Sequence, residues 1–256
     1  MQAAGRASSK MGTKVVLVTG GGSGIGAATV RAFAAEGATL LIGYHHGLDR
    51  AEALRDALPA VDGPGHLVLR TPLEDSAAHA RIAEAVSGRY GRLDVLVNSA
   101  GYTKRIAHTD LETLDSALFN QILLANVGGV FSITRALLPL LRQSADALVV
   151  NMSSVSGFTG SGSNMAYCAA KAALDIMTVS MARACGPVRF LCVSPASVDT
   201  QFIPGRDRAE LEAKAAKTPL GRIVSPEDVA QTILACATHI RTATGSRIII
   251  DGGFHL

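Results

Sequence analysis

An α/β fold is predicted by three features of this sequence: seven short β-branched runs, long helical patterns between them, and a glycine-rich turn directly after the first run. Strands that alternate with helices are repeated βαβ units, and their right-handed crossovers lay helices on both faces of one parallel sheet. The expectation is a single-domain, Rossmann-like, doubly wound seven-stranded parallel sheet that binds its ligands beyond the carboxyl ends of the strands. The 256 residues suffice for one such domain, and no Pro/Gly/Ser-rich linker divides them. Residues 11–256 are assigned to it. Residues 1–10 are small and polar and precede Met11, a candidate alternative start, so they read as a disordered lead-in.

The strands are predicted at 14–19, 39–43, 66–70, 94–98, 147–152, 188–193 and 247–250. Their centres, such as Val15-Val16-Leu17-Val18 and Val95-Leu96-Val97, are continuously apolar, as in strands covered on both faces. Helical periodicity places helices near 25–36, 48–58, 75–90, 112–142, 165–184 and 226–238. The irregular stretch 197–222 carries Pro204, Gly205 and Pro219 around a charged, helical piece near 208–217, and at this length it reads as a lid.

Hydrophobic residues make up 48% of the chain but aromatics only 4%, with 26 Gly and no Trp, so the core must be built from Ala, Val, Leu and Ile. The formal net charge of +3 is dispersed, which gives neither nucleic acid nor a membrane surface a basic stripe to bind. Cys168, Cys185, Cys192 and Cys236 lack the paired spacing of a zinc site and are expected as reduced, mostly buried thiols. No metal is expected. With no apolar leader at the N-terminus and no run of 18 or more residues free of polar side chains, the protein is expected to be soluble and cytoplasmic.

The turn Thr19-Gly-Gly-Gly-Ser-Gly-Ile-Gly26 lies between a strand and a helix, the context of a phosphate cradle. Glycines at 20, 24 and 26 allow a tight turn and close backbone approach, and the amides and dipole of the following helix attract a pyrophosphate. Gly20, Ser23, Gly24, Ile25 and Gly26 are therefore candidate dinucleotide contacts. At the end of the second strand, where an acidic residue would select NAD, stands Gly43-Tyr44-His45-His46. No carboxylate is there to repel a 2′-phosphate, and Tyr44 and His45 can donate to one, which favours NADP(H) over NAD(H), although no lysine or arginine accompanies them. The His45-His46 pair lacks a third ligand for a metal.

Tyr167 and Lys171, in Asn164-Met-Ala-Tyr-Cys-Ala-Ala-Lys171, place a phenol and an ammonium on one helix face. A phenol titrates near ~10 and exchanges protons poorly at neutral pH unless a cation stabilises its anion. Lys171 can be that cation. Taken alone, the pair reads equally as a snorkelling lysine beside a half-buried tyrosine.

With the glycine turn, Asn98-Ser-Ala-Gly101 after the fourth strand, a serine after the fifth, and Tyr-x-x-x-Lys on the next helix, the chain resembles the short-chain dehydrogenase/reductase family, and its order and spacing match the classical branch. The resemblance covers roughly 14–253. It implies a nicotinamide oxidoreductase with Ser154 as donor to the substrate oxygen, Tyr167 as general acid or base, Lys171 holding the ribose and lowering the tyrosine pKa, and Asn126 in a distorted helix supporting a proton relay. It further assigns Asn98, Ala100 and Gly101 to the adenosine side, and Pro195, Val198 and Thr200 to the nicotinamide. Two departures stand out: Pro72-Leu73 replaces the family's Asp-Val beside the adenine, leaving Leu73 as the contact, and Pro195-Ala196 replaces Pro-Gly. The implied substrate is a small-molecule carbonyl or secondary alcohol, first a 3-oxoacyl thioester, with a sugar, polyol or steroid-like alcohol as alternatives. Lys104, Arg105, Arg206 and Arg208 near the mouth would suit an anionic substrate or carrier. A catalytically silent cofactor-binding regulator is the competing class. A homotetramer or homodimer is the implied assembly.

Overall fold

In the computed structural model, residues 11–203, 205 and 207–256 are described. The expected lead-in at 1–10, Pro204 and Arg206 lie outside them. Seven parallel strands form one sheet in the order β3-β2-β1-β4-β5-β6-β7: β1 (Val15–Thr19), β2 (Thr39–Tyr44), β3 (Leu67–Arg70), β4 (Val95–Asn98), β5 (Leu148–Met152), β6 (Arg189–Pro195) and β7 (Ser246–Ile250). The order reverses at β1, which pairs with both β2 and β4 and so opens a crevice beyond its carboxyl end.

Alternate residues of the central strands feed two cores. Val16, Val18, Leu40, Ile42, Val97 and Val150 pack with Val30 and Phe33 of α1 (Gly24–Ala35) and with Val229 and Ile233 of α9 (Pro226–Thr238). Leu17, Leu41, Leu96, Val149 and Phe190 pack on the other face with Ile82 and Val86 of α3 (Ser76–Tyr90), Ile133 and Leu137 of α5 (Gly129–Leu141), and Met181 of α7 (Met165–Ala184). The apolar runs predicted from sequence thus have both faces covered. The remaining helices are α2 (Leu48–Asp56), α4 (Ser116–Leu123), a four-residue α6 (Ser156–Thr159) and α8 (Arg208–Ala215).

The helix expected at 112–142 is interrupted. It begins only at Ser116, where the Asp115 carboxylate caps the Leu118 amide at 2.8 Å, and it widens into a π-helical turn over Leu124–Gly128 before α5. Gly128 closes that widened turn and Gly129 opens α5. A Cβ at Gly129 would collide with the Leu73 carbonyl, so the backbone approaches there as only glycine permits. Ser116–Leu141 is long and apolar enough by composition to cross a membrane, yet Ile133, Leu137 and Leu141 pack against the sheet and Ile122 packs with Ala166 and Ala170 of α7. By contrast, α9 matches its expected limits, fixed by a Ser225/Asp228 capping box and Pro226 at the first position.

At the amino ends of the strands, far from the crevice, the buried Asp94 carboxylate joins Lys14 at 3.0 Å, Ser144 Oγ at 2.6 Å and the Val15 amide at 2.9 Å. Burial works to raise its pKa, but the bonds from Ser144, Val15 and Lys14 outweigh it and hold the group below the usual carboxylate value. A depressed folded pKa means stability that is present above the unfolded value and lost as pH falls through the folded one. Asp94→Ala should lower unfolding free energy by about 3 kcal/mol at pH 7, with the deficit shrinking toward pH 3. Urea denaturation across pH checks it; equal deficits at pH 7 and pH 3 would show that the ionised carboxylate is not the source.

Candidate active site

Helix α7 sets the height of the two central side chains. Its cap is Asn164, whose Oδ1 accepts from the Tyr167 amide at 2.8 Å while its Nδ2 donates to the Lys104 carbonyl at 2.7 Å. The half-buried Tyr167 therefore sits in the first turn, with Lys171 one turn further down. Lys171 is only 5% exposed. Its ammonium donates to the Met152 carbonyl at the end of β5, at 2.7 Å, and lies 5.3 Å from the Tyr167 ring centroid. Burial drives its pKa down to about 8, against the upward pull of Cys192 and Asp175.

Ser154 follows β5. Its hydroxyl accepts from the Ser156 amide and donates to Ser156 Oγ, both at 3.1 Å. Neighbouring Ser153 instead donates to the Lys171 carbonyl at 3.3 Å, a tie between β5 and α7. Ser154, Tyr167 and Lys171 face one cavity of about 470 Å³, which Ile25, Pro195, Val198 and Thr200 also border. The Tyr167 and Phe202 ring centroids are 6.1 Å apart, so the stretch expected as a lid reaches the phenol. Ala196 replaces a family glycine without strain, because among the described residues only glycines have positive φ.

The glycine turn adjoins this cavity. Gly20 has φ +66°, and a Cβ there would lie 3.1 Å from Ala100 Cα; one at Gly26 would strike the Gly20 carbonyl; one at Gly24 would lie 3.2 Å from Thr200 Cγ2. Thr19 Oγ1 accepts from the Ser99 and Ala100 amides at 3.1 and 3.0 Å, locking the turn to the end of β4. Ser23, extended ahead of α1, makes no side-chain cap, and the first turn of α1 holds no acidic residue. An uncapped helix start behind a glycine-lined cradle fits a dinucleotide pyrophosphate.

At the carboxyl end of the neighbouring strand, Tyr44 closes β2 and is followed by His45 and His46, whose ring centroids are 4.1 Å apart. Burial, then His46, then Arg70 lower the His45 pKa, against an upward pull from Glu74. Arg70 corrects the sequence reading of this corner. The β2–β3 register sets it opposite Tyr44, supplying the cation that the local sequence lacks. The Leu73 backbone runs so close to Gly129 that a Cβ there would strike its carbonyl, while the preceding Pro72 carbonyl accepts from the buried His79 at 2.7 Å. Sequence reasoning missed Arg70 because it reaches the corner only by strand pairing, and His79 because its ring is fixed between Pro72 and the distant Ser132 of α5 only when α3 packs there.

Two residues assigned by resemblance spend their side chains on the scaffold. Asn98, buried, donates to Asn151 Oδ1 at 2.8 Å and Thr134 Oγ1 at 3.1 Å. Asn126, fully buried in the π-helical turn, donates to the Tyr102 carbonyl at 2.6 Å and the Ile122 carbonyl at 2.9 Å. It thereby ties that turn to Gly101-Tyr102.

Fold and site together define a nucleotide-binding α/β oxidoreductase. A sequence model described as enoyl-(acyl carrier protein) reductase matches residues 20–255. The 3-oxoacyl-(acyl-carrier-protein) reductase of Thermotoga maritima is 35% identical over 245 residues, 94% of this chain and 97% of that protein. Cis-4-hydroxycyclohexanecarboxylate dehydrogenase of Sinomonas cyclohexanicum is 33% identical over 246 residues, 94% of this chain and 96% of that one. A crystal structure of a short-chain dehydrogenase from Burkholderia cenocepacia in complex with NADP superimposes with a TM-score of 0.86 at 27% identity, covering 96% of this chain and 100% of that one. The chain belongs to the short-chain dehydrogenase/reductase family.

Because the folded pKa of Lys171 lies below the ordinary lysine value of 10.5, the unfolded chain binds the extra proton between pH 8 and 10.5. The buried ammonium therefore subtracts stability at neutral pH, and the penalty fades as pH rises through that window. Lys171→Met should raise Tm at pH 7 by about 2–4 °C and lose the gain above pH 10, as differential scanning calorimetry would record. A gain independent of pH would show that desolvation of the charge is not its cause.

Proposed function

We propose that this chain is an NADPH-dependent carbonyl reductase, working on a 3-oxoacyl thioester or a similar ketone and as an alcohol dehydrogenase in reverse. One observation carries the reading: a buried ammonium, a phenol and a serine hydroxyl border one cavity beside the glycine cradle. Bound NADPH would supply the hydride, with Gly20, Ser23, Gly24, Ile25 and Gly26 around its pyrophosphate and Pro195, Val198 and Thr200 beside its nicotinamide. Ser154 donates to the carbonyl oxygen, which gains negative charge as reduction proceeds. Tyr167 Oη releases its proton to that oxygen, and the positive charge of Lys171 stabilises the phenolate left behind. Asn126 holds the widened turn from which a water-linked proton path can be reached. Residues 197–222 act as the lid of a single domain.

The preference for NADP(H) rests on the missing carboxylate after β2 and on Arg70 opposite Tyr44. The NADP complex of the Burkholderia cenocepacia relative supports it. The runner-up is an NAD-dependent dehydrogenase of a sugar, polyol or steroid-like alcohol; the Sinomonas relative, a cis-4-hydroxycyclohexanecarboxylate dehydrogenase, supports its alcohol-oxidising direction alone. A silent regulator would tolerate loss of Ser154, Tyr167 or Lys171, and all three are present. Leu124, Phe131 and Ile176, exposed on the α4–α5 and α7 helices, support assembly as a homotetramer or homodimer. The proposed setting is cytoplasmic, with a small-molecule substrate.

Steady-state reduction of acetoacetyl thioesters should proceed at least tenfold more efficiently with NADPH than with NADH, and Arg70→Ala should erase most of that ratio by raising KM for NADPH. Equal efficiency with NADH in the unmodified protein would transfer the argument to the NAD-dependent reading.

A further inference from the structure

Three charged side chains from two elements meet at the open end of the catalytic cavity. Arg105, in the connection between β4 and α4, reaches Glu210 Oε2 on α8 at 3.0 Å, and Lys214, one turn along α8, holds Glu210 Oε1 at 2.9 Å. All three border the cavity that contains Tyr167 and Ser154. Two cations thus share one carboxylate, and the mouth keeps a surplus positive charge. Between the mouth and the phenol the wall is largely apolar, with Ile106, Phe202, Ile203 and Phe254.

The other basic residues expected here are disposed differently. Arg208 is committed to Asp199 at 2.5 Å and to Glu212 at 3.1 Å. Lys104 does not border the cavity, and Arg206 lies outside the described residues. Arg105 and Lys214 remain, tied to a partner they can release: their side chains are 53% and 47% exposed, and ion pairs in that setting are weak. A substrate anion would exchange one such pair for another while its apolar stem is buried in the cavity, so the exchange has little to oppose it.

We infer that Arg105 and Lys214 hold an anionic group at the end of the substrate remote from its carbonyl, either the carboxylate of an oxo acid or a phosphate on the arm of an acyl thioester. The inference rests on the carbonyl-reductase reading of the same cavity and adds its substrate class. Glu210 is the placeholder: without substrate it keeps both cations paired and joins α8 to the Arg105 connection, and an arriving anion takes its place. Because the two cations come from different elements, an anion that bridges them also keeps α8 seated over the cavity.

Two matched pairs separate the sources of charge: 7-oxooctanoate against its methyl ester, and acetoacetyl-CoA against the neutral acetoacetyl N-acetylcysteamine thioester. At low salt, NADPH oxidation should favour the charged member of at least one pair. Arg105→Gln and Lys214→Gln should each reduce that preference roughly fivefold, mainly through KM, whereas Glu210→Gln should increase it. A merely structural role for the trio would move both members of a pair together. Calorimetric titration of octanoate and octanol into the NADPH complex gives a readout without turnover, with tighter octanoate binding that weakens in both cation variants. Charged and neutral members used alike, or octanoate binding no tighter than octanol, would overturn the inference. If no carbonyl compound is reduced while octanoate still binds through the two cations, the reductase reading fails and the anion site stands.

Discussion

The whole candidate site depends on one desolvated ammonium. Lys171 is held inside the protein by its bond to the Met152 carbonyl, and burial moves its pKa down to about 8. A charge so placed acts on its neighbours through a poorly screened medium, so its influence on the adjacent phenol is larger than a surface lysine could exert. The same desolvation makes the lysine a liability for folding. The scaffold must therefore over-determine where it sits.

A row of polar residues across the carboxyl ends of the strands supplies that rigidity. Thr19, Asn98, Asn151 and Cys192 stand opposite one another in register. Asn98 donates to Asn151, and Asn151 donates to Thr178 of α7 at 2.8 Å, while Thr178 lies 3.1 Å from Cys192 Sγ. Ser153 adds its bond to the Lys171 carbonyl, and Asn164 fixes the start of α7. The sheet thus positions α7 from below and from its amino end, and in the proposed chemistry that precision brings the phenol to the substrate oxygen. Thr19 extends the row to the glycine turn, so cofactor cradle and proton donor share one frame.

Much of this was legible in the sequence because it is local. A glycine turn between a strand and a helix and a phenol and an ammonium one turn apart are short-range patterns, the family resemblance added the serine upstream, and strands alternating with helices announce a sheet covered on both faces. What was not legible arises from pairing between distant segments. Arg70 arrives opposite Tyr44 only through strand register, Glu210 meets Arg105 only when α8 folds over the mouth, and His79 meets Ser132 only when α3 packs on α5. Periodicity also drew one helix over 112–142, since apolar spacing does not register a widened turn, although Gly128 and Gly129 pointed to a distortion. The four-residue α6 is too short to carry any period.

The most direct test of the central claim, that Tyr167 moves the proton under the influence of Lys171, is the Tyr167→Phe variant. Removing one hydroxyl from a half-buried ring leaves the packing in place, so NADPH binding followed by cofactor fluorescence should remain within about threefold, while kcat for ketone reduction should fall by at least ~10²-fold. Turnover comparable to that of the unmodified protein would contradict the account.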